Sequence, residues 1–142
     1  MSNESNVEIV RGLIKRFFND HNPSVVNEYF ARDFKWHGGR VGDYEGAENY
    51  AVAMTSFFRG LPDAHAIKQD LIESGNTVAA RFVVEATHKG ELWGVKPTGR
   101  KIRRNAMMIY RIADGRVSEQ WAAEDWTAIL SEMGLIQPPW LK

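Results

Sequence analysis

A chain of 142 residues, 44% hydrophobic and 25% charged, fits one domain spanning residues 1–142 and lacks the composition of collagen-like, disordered or coiled-coil proteins. The absence of cysteine excludes disulfides, iron–sulfur clusters, thiolate zinc sites and thiol nucleophiles, and no apolar run approaches the roughly 18 residues of a membrane span. Eighteen bases balance eighteen acids; residues 81–116 hold nine of the bases and only three acids, a bias that strand pairing mixes in space and that does not argue for nucleic acid.

Ser5 and Glu8 make a capping box, and Val10, Leu13, Ile14 and Phe17 recur at i, i+3, i+4 and i+7, so the first element is a helix with one buried stripe. Asn22 and Pro23 start a second helix that carries Val25, Val26, Tyr29 and Phe30 toward the same core. A short apolar stretch, Phe34 to His37, is a candidate strand that ends in a loop of Gly38, Gly39 and Gly42. From Gly46 a third helix runs to about Phe58, with Ala47, Tyr50, Met54 and Phe57 on one stripe, and Leu61, Pro62 and Asp63 end it.

Antiparallel sheet is predicted from Ala64 to about Trp126. Ser74, Gly75 and Asn76 turn the chain between Ala64–Glu73 and Thr77–His88, where Val78, Ala80, Phe82 and Val84 alternate with the residues between them. Asp114 and Gly115 are the clearest hairpin signal and join Lys101–Ala113 to Arg116–Asp125. A loop from Lys89 to Arg100 separates the two hairpins. A last helix from Trp126 stops at Gly134, and the tail of Pro138, Pro139 and Trp140 is expected against the body. The N-terminus lacks a basic region followed by an apolar core, so a cytoplasmic location is the default expectation.

Helices gathered ahead of a meander imply an α+β fold, a cone-shaped α+β barrel whose N-terminal helices pack on the concave face of a strongly curved antiparallel sheet. Such a cone can hold a pocket.

Several segments carry a family resemblance over nearly the whole chain. They are Phe30 to Phe34 closing on His37; Thr87 to Gly90; Leu92 to Gly99, with its Pro-Thr-Gly ending; and Tyr110, Arg111 through Asp114-Gly115 to Trp121. Together they resemble the SnoaL-like polyketide cyclases of the nuclear transport factor 2-like superfamily. The resemblance implies a cofactor-independent enzyme that cyclises polyketide methyl esters by intramolecular aldol chemistry, of lyase or isomerase type, in antibiotic biosynthesis and as a homodimer. It also implies an acid/base aspartate where this chain has Ala122 and a Gln-x-His pair where it has Ala106 and Met108. The usual acid/base residues are thus replaced, which leaves open a non-catalytic small-molecule binding module and a hydroxylase of quinone substrates as alternative readings.

Cofactor-free carbonyl chemistry needs a base near the carbon acid and a donor near the developing enolate. Alternation puts Ile102, Arg104, Ala106, Met108 and Tyr110 on one face of their strand, and Ser118, Gln120, Ala122 and Glu124 on the same face of the partner strand. This mostly apolar face suits a hydrophobic, aromatic substrate. The candidate catalytic groups are His37, Glu124 and Asp125. Glu124 is favoured for the cavity by alternation, and Asp125 could equally cap the last helix. His37 is a base or donor titrating near neutral pH, or is bonded to loop backbone. Arg104 and Gln120 are candidates to orient substrate, and Trp36, Trp93 and Trp121 to stack on it, unless these rings are core. His88 is expected to stabilise its turn, and His21 and His65 to lie at the surface or in loops. The four histidines match no compact metal motif.

Overall fold

The computed structural model describes residues 5–38 and 43–140, so Gly39 and Gly42 of the predicted glycine loop lie outside the described residues. Ser5 caps α1 (Asn6–Gly12) by accepting the Glu8 N–H at 3.3 Å, while the Glu8 carboxylate pairs with Arg11 rather than returning to Ser5. The chain continues as a π-helical stretch, Leu13–Asn19, with Leu13, Ile14 and Phe17 buried. Pro23 opens a 3₁₀ turn, Pro23–Val25, which leads into the short helix α2 (Val26–Tyr29).

Strand β1 (Phe30–His37) begins at Phe30 rather than Phe34, and β2 (Asp43–Glu45) was not predicted. Helix α3 (Ala47–Gly60) buries Ala47, Tyr50, Ala51, Phe57 and Phe58. The sheet is completed by β3 (His65–Ser74), β4 (Thr77–Thr87), β5 (Lys101–Ala113) and β6 (Arg116–Glu124), and α4 (Trp126–Glu132) follows. The order is β2-β1-β6-β5-β4-β3 in one curved, unclosed sheet. The pairs among β3 to β6 are antiparallel as predicted, whereas β1 runs parallel to β6, so the sheet is mixed. The long connection between β1 and β6 permits that direction, which local hairpin signals do not reveal.

Burial along β5 alternates strictly, with Ile102, Arg104, Ala106, Met108, Tyr110 and Ile112 inside. Its partner β6 breaks its own period. Arg111 pairs with Glu119 but Ile112 pairs with Val117, so Ser118 is an extra residue on a bulge. Val117 and Gln120 are therefore both buried, and Ser118, expected on the cavity face, instead donates its hydroxyl to the Arg111 carbonyl at 3.2 Å.

The inner face of the sheet meets the helices in one large core that includes Val10, Phe17, Phe30, Phe34, Val78 and Phe82. A smaller core under α3 and α4 holds Phe57, Phe58, Leu61, Leu92, Ile102, Ile129 and Met133. The C-terminal tail is only partly docked. Pro138 is buried, but Trp140, expected against the body, is 72% exposed.

Candidate active site

A cavity opens between the inner face of the sheet and the helices, with about 800 Å³ of empty space, mouth included. The π-helical stretch contributes Leu13, Ile14, Phe17 and Phe18; α3 contributes Tyr50, Ala53, Met54 and Phe57; β1 and β2 contribute Trp36 and Tyr44. From β5 and β6 come Arg104, Met108, Tyr110, Gln120 and Glu124, and the mouth carries Trp93 and Trp126. Aromatic faces dominate the wall. Tyr50 stacks on Phe17 at 5.7 Å and on Trp36 at 6.1 Å, and Trp36 lies 5.3 Å from Tyr44.

The polar groups gather on β5 and β6. Arg104 Nη1 stands 3.1 Å from Glu124 Oε1, with 3% and 11% of the two side chains exposed. The guanidinium also lies over the rings of Phe57, at 5.7 Å, and Trp126, at 6.0 Å. Glu124 is opposite Ala106, so this ion pair crosses the two strands diagonally. Burial, reinforced by Tyr110 and Glu124 and opposed by Arg104, pushes the Tyr50 hydroxyl well above the ordinary phenol range. Tyr110 is raised by burial first and by Glu124 second. Both tyrosines are therefore neutral hydrogen-bond donors at physiological pH. Gln120 is buried and its Nε2 faces Met108 Sδ at 3.5 Å.

The predicted residues divide between the two faces of the sheet. Trp36, Trp93, Arg104, Met108, Tyr110, Gln120 and Glu124 all line the cavity. Ala106 and Ala122 lie on its side of the sheet but belong to the packed core, Ala106 fully and Ala122 partly buried. Trp121 does not reach the cavity: it stacks on His37 at 5.5 Å and under the Arg111 guanidinium at 5.0 Å on the outer face. His37 is there too, because it follows Trp36 on a regular strand and adjacent residues point to opposite faces. Its Nε2 meets Glu119 at 2.7 Å and its Nδ1 lies 3.5 Å from Asp43. The structure thus keeps His37 apart from Glu124. Asp125 is exposed and caps α4, its Oδ1 accepting the Ala128 N–H at 3.0 Å.

The remaining histidines are occupied locally. His88 Nδ1 is held by Thr98 at 2.9 Å in its loop, His21 stacks on Phe58 at 4.3 Å, and His65 Nδ1 bonds the Asp63 carbonyl at 3.0 Å. Tyr50 and Tyr44 are site residues that sequence reasoning did not single out. Tyr50 sits in the apolar stripe of α3, where a tyrosine is the one member whose hydroxyl requires a polar neighbour, and that requirement was its only sign.

Trp93 and Gly94 both have positive φ, 49° and 79°, at the tip of the Leu92–Val95 bridge. Tryptophan is strained in that region, so neighbouring contacts must hold it there. Its ring packs edge-on against Trp126 at 4.8 Å and lies 6.4 Å from Phe57. Among the described residues no helix is long and apolar enough to cross a membrane.

A curved sheet closed on one side by helices around an aromatic cavity, with a carboxylate–guanidinium pair and two neutral tyrosines inside, defines an α+β fold of the small-molecule-binding type. The chain belongs to the SnoaL-like polyketide cyclase family, whose model matches residues 8–133. It is 25% identical over 137 residues to the aklanonic acid methyl ester cyclase DnrD of Streptomyces peucetius, covering 94% of this chain and 92% of that protein. DauD of Streptomyces sp. strain C5, which bears the same description, is also 25% identical, over 94% of this chain and 83% of that one. Among solved structures, IdmH of Streptomyces antibioticus, a candidate polyketide cyclase, superposes with a TM-score of 0.80 at 29% identity, over 92% of this chain and 99% of that one. AclR of Streptomyces galilaeus, a candidate hydroxylase, shares the fold with a TM-score of 0.81 at 22% identity, over 94% and 87% of the two chains.

Proposed function

We propose that this protein catalyses acid–base chemistry on a hydrophobic, polyketide-derived carbonyl compound, an intramolecular aldol cyclisation or an isomerisation. The observation that carries this reading is the Arg104–Glu124 pair, 3.1 Å apart inside an aromatic cavity beside Tyr50 and Tyr110. The Glu124 carboxylate takes a proton from the carbon next to a carbonyl, and the developing enolate oxygen is met by a tyrosine hydroxyl and the Arg104 guanidinium. The enolate carbon then attacks a second carbonyl of the same molecule. The resulting alkoxide recovers the proton from Glu124, so the product is an isomer of the substrate. Arg104 and Gln120 orient the ligand, while Trp36, Tyr44 and Trp93 stack on it and keep water out. Two curated relatives named for cyclising an ester of this kind support the reaction class.

Two chains pair over the outer sheet face in this reading. Ile72, Met107 and Ile109 are exposed there, bordered by the ion pairs Arg81–Asp70, Arg103–Glu85 and Arg111–Glu119. The test of function is incubation with aromatic polyketide methyl esters and simple enolisable ketones, followed by mass spectrometry. Products of unchanged mass, lost in Glu124→Gln, are expected. A gain of one oxygen would replace the proposal with hydroxylation, and binding across the panel without turnover would replace it with a carrier role.

A further inference from the structure

We propose that Gln120 reads a hydrogen-bond donor, an enol or phenol hydroxyl, on the end of the ligand remote from the Arg104–Glu124 pair. This rests on the cavity being the substrate site. Gln120 is 3% exposed and lines the cavity, yet its Oε1 has no hydrogen-bond partner among the described residues. Buried side-chain acceptors are seldom left so, because an unpaired one forfeits its hydration without return. The orientation of the amide follows from its neighbour. Met108 Sδ accepts hydrogen bonds and does not donate them, so the NH₂ group turns to the sulfur at 3.5 Å and the carbonyl oxygen is the atom left for a ligand.

An amide oxygen only accepts, so the complementary group must donate, and the aromatic walls require it to be carried on a flat apolar body. Its position on that body follows from the strand. Gln120 and Glu124 share one face of β6 four residues apart, roughly 13 Å of extended backbone. The hydroxyl recognised by Gln120 is therefore at the opposite end of the molecule from the carbon whose proton Glu124 takes, and a ligand of at least two fused rings is needed to occupy both. Gln120 acts here as a specificity-determining residue and moves no proton.

Calorimetric titration with 2-naphthol and 2-methylnaphthalene, which differ at one hydroxyl or methyl, tests this. Wild-type protein is expected to bind 2-naphthol more tightly, by about fivefold or more. In Gln120→Leu the order is expected to reverse, because the hydroxyl is then the group left unpaired. Gln120→Met, closer in shape, serves if the leucine variant does not fold, and the same reversal is expected of it. An unchanged order in the folded variant, or equal affinity of wild-type protein for the two compounds, would overturn the inference. So would failure of wild-type protein to bind either. Reversal without turnover of any ester would leave the inference standing and defeat the catalytic reading; turnover lost in Glu124→Gln with no reversal would do the opposite.

Discussion

Arg104 and Glu124 face each other across β5 and β6 at 3.1 Å, where the two strands end against α4. The pair is diagonal rather than directly opposite, and the Asp125 N–H reaches back to the Asn105 carbonyl at 3.3 Å, so the start of α4 fixes the strand end that carries Glu124. A charged pair this deep is costly to assemble and strongly destabilising to break, because the survivor stays buried and uncompensated.

Glu124→Gln therefore separates two effects only when combined with a second variant. Alone it is expected to lower stability by about 3 kcal/mol, leaving Arg104 unpaired. It is also expected to lower turnover about a hundredfold or more, since the proposed proton acceptor is gone. Replacing both partners, Arg104→Met with Glu124→Leu, is expected to restore most of the stability and none of the turnover. Denaturant unfolding and product formation measured on the same preparations check this. Recovered turnover in the double variant would remove Glu124 from the mechanism.

His37 bears on pH dependence through the outer face, not the cavity. Its hydrogen bond to Glu119 raises its pKa above the ordinary value, with Asp43 adding to the shift and burial opposing it; Arg111 faces Glu119 from the neighbouring strand. A raised folded-state pKa means that the folded form holds the proton more tightly. The stabilisation is complete below the ordinary histidine value of about 6.5 and fades as pH rises through the raised folded value. The stability difference between wild type and His37→Gln should thus be largest in mildly acidic buffer and shrink above neutrality. Turnover by His37→Gln should stay near wild type at any pH where it is folded; a large loss would bring His37 back into the reaction.

Asp125→Ala removes the cap of α4. The lost bond to Ala128 N–H is expected to cost about 1 kcal/mol, measured by thermal or denaturant unfolding. Since α4 begins with Trp126, which packs on Trp93 at the cavity mouth, ligand affinity should fall modestly while the chemical step is spared.

How far the fold was legible depended on how local its cause was. The bounds of β5, Lys101–Ala113, are legible because an Asp-Gly turn follows it, but its inner face is not. Arg103 and Arg104 are adjacent charges and Met107 to Tyr110 is a continuous apolar run, so the face follows only from taking Ala106 and Met108 as pocket-facing, the side on which the structure buries them. Ser118 was misplaced because the bulge that displaces it is a relation between two strands, invisible in the period of one. The parallel pairing of β1 with β6 has no local signature either, and β2 is three residues long. At the site, parity placed Arg104, Met108, Tyr110, Gln120 and Glu124 on one face. The candidates nevertheless include both Trp36 and His37, and both Gln120 and Trp121, although adjacent strand residues point to opposite faces and only one of each pair can face inward. Which neighbour faces the cavity is decided by the helices that cover the sheet, and only the assembled structure supplies that.

Gly90→Ala tests whether the loop bearing Trp93 must be clamped to α3. The N–H groups of Lys89 and Gly90 both donate to the Gly60 carbonyl, at 3.2 and 3.0 Å, drawing the loop against the end of the helix. A Cβ at Gly90 would fall 2.2 Å from the Arg59 carbonyl oxygen, a backbone atom with nowhere to move. Alanine there must push the loop off the helix, and Trp93, held at positive φ by its contacts with Trp126 and Phe57, would lose its seat. The expected cost is about 1–3 kcal/mol of stability, as for overpacking elsewhere. In steady-state kinetics KM should rise more than kcat falls, because the carboxylate on β6 is untouched while the wall that excludes water is displaced. An equal drop in kcat with KM unchanged would show that the loop acts on the chemical step itself and not on binding.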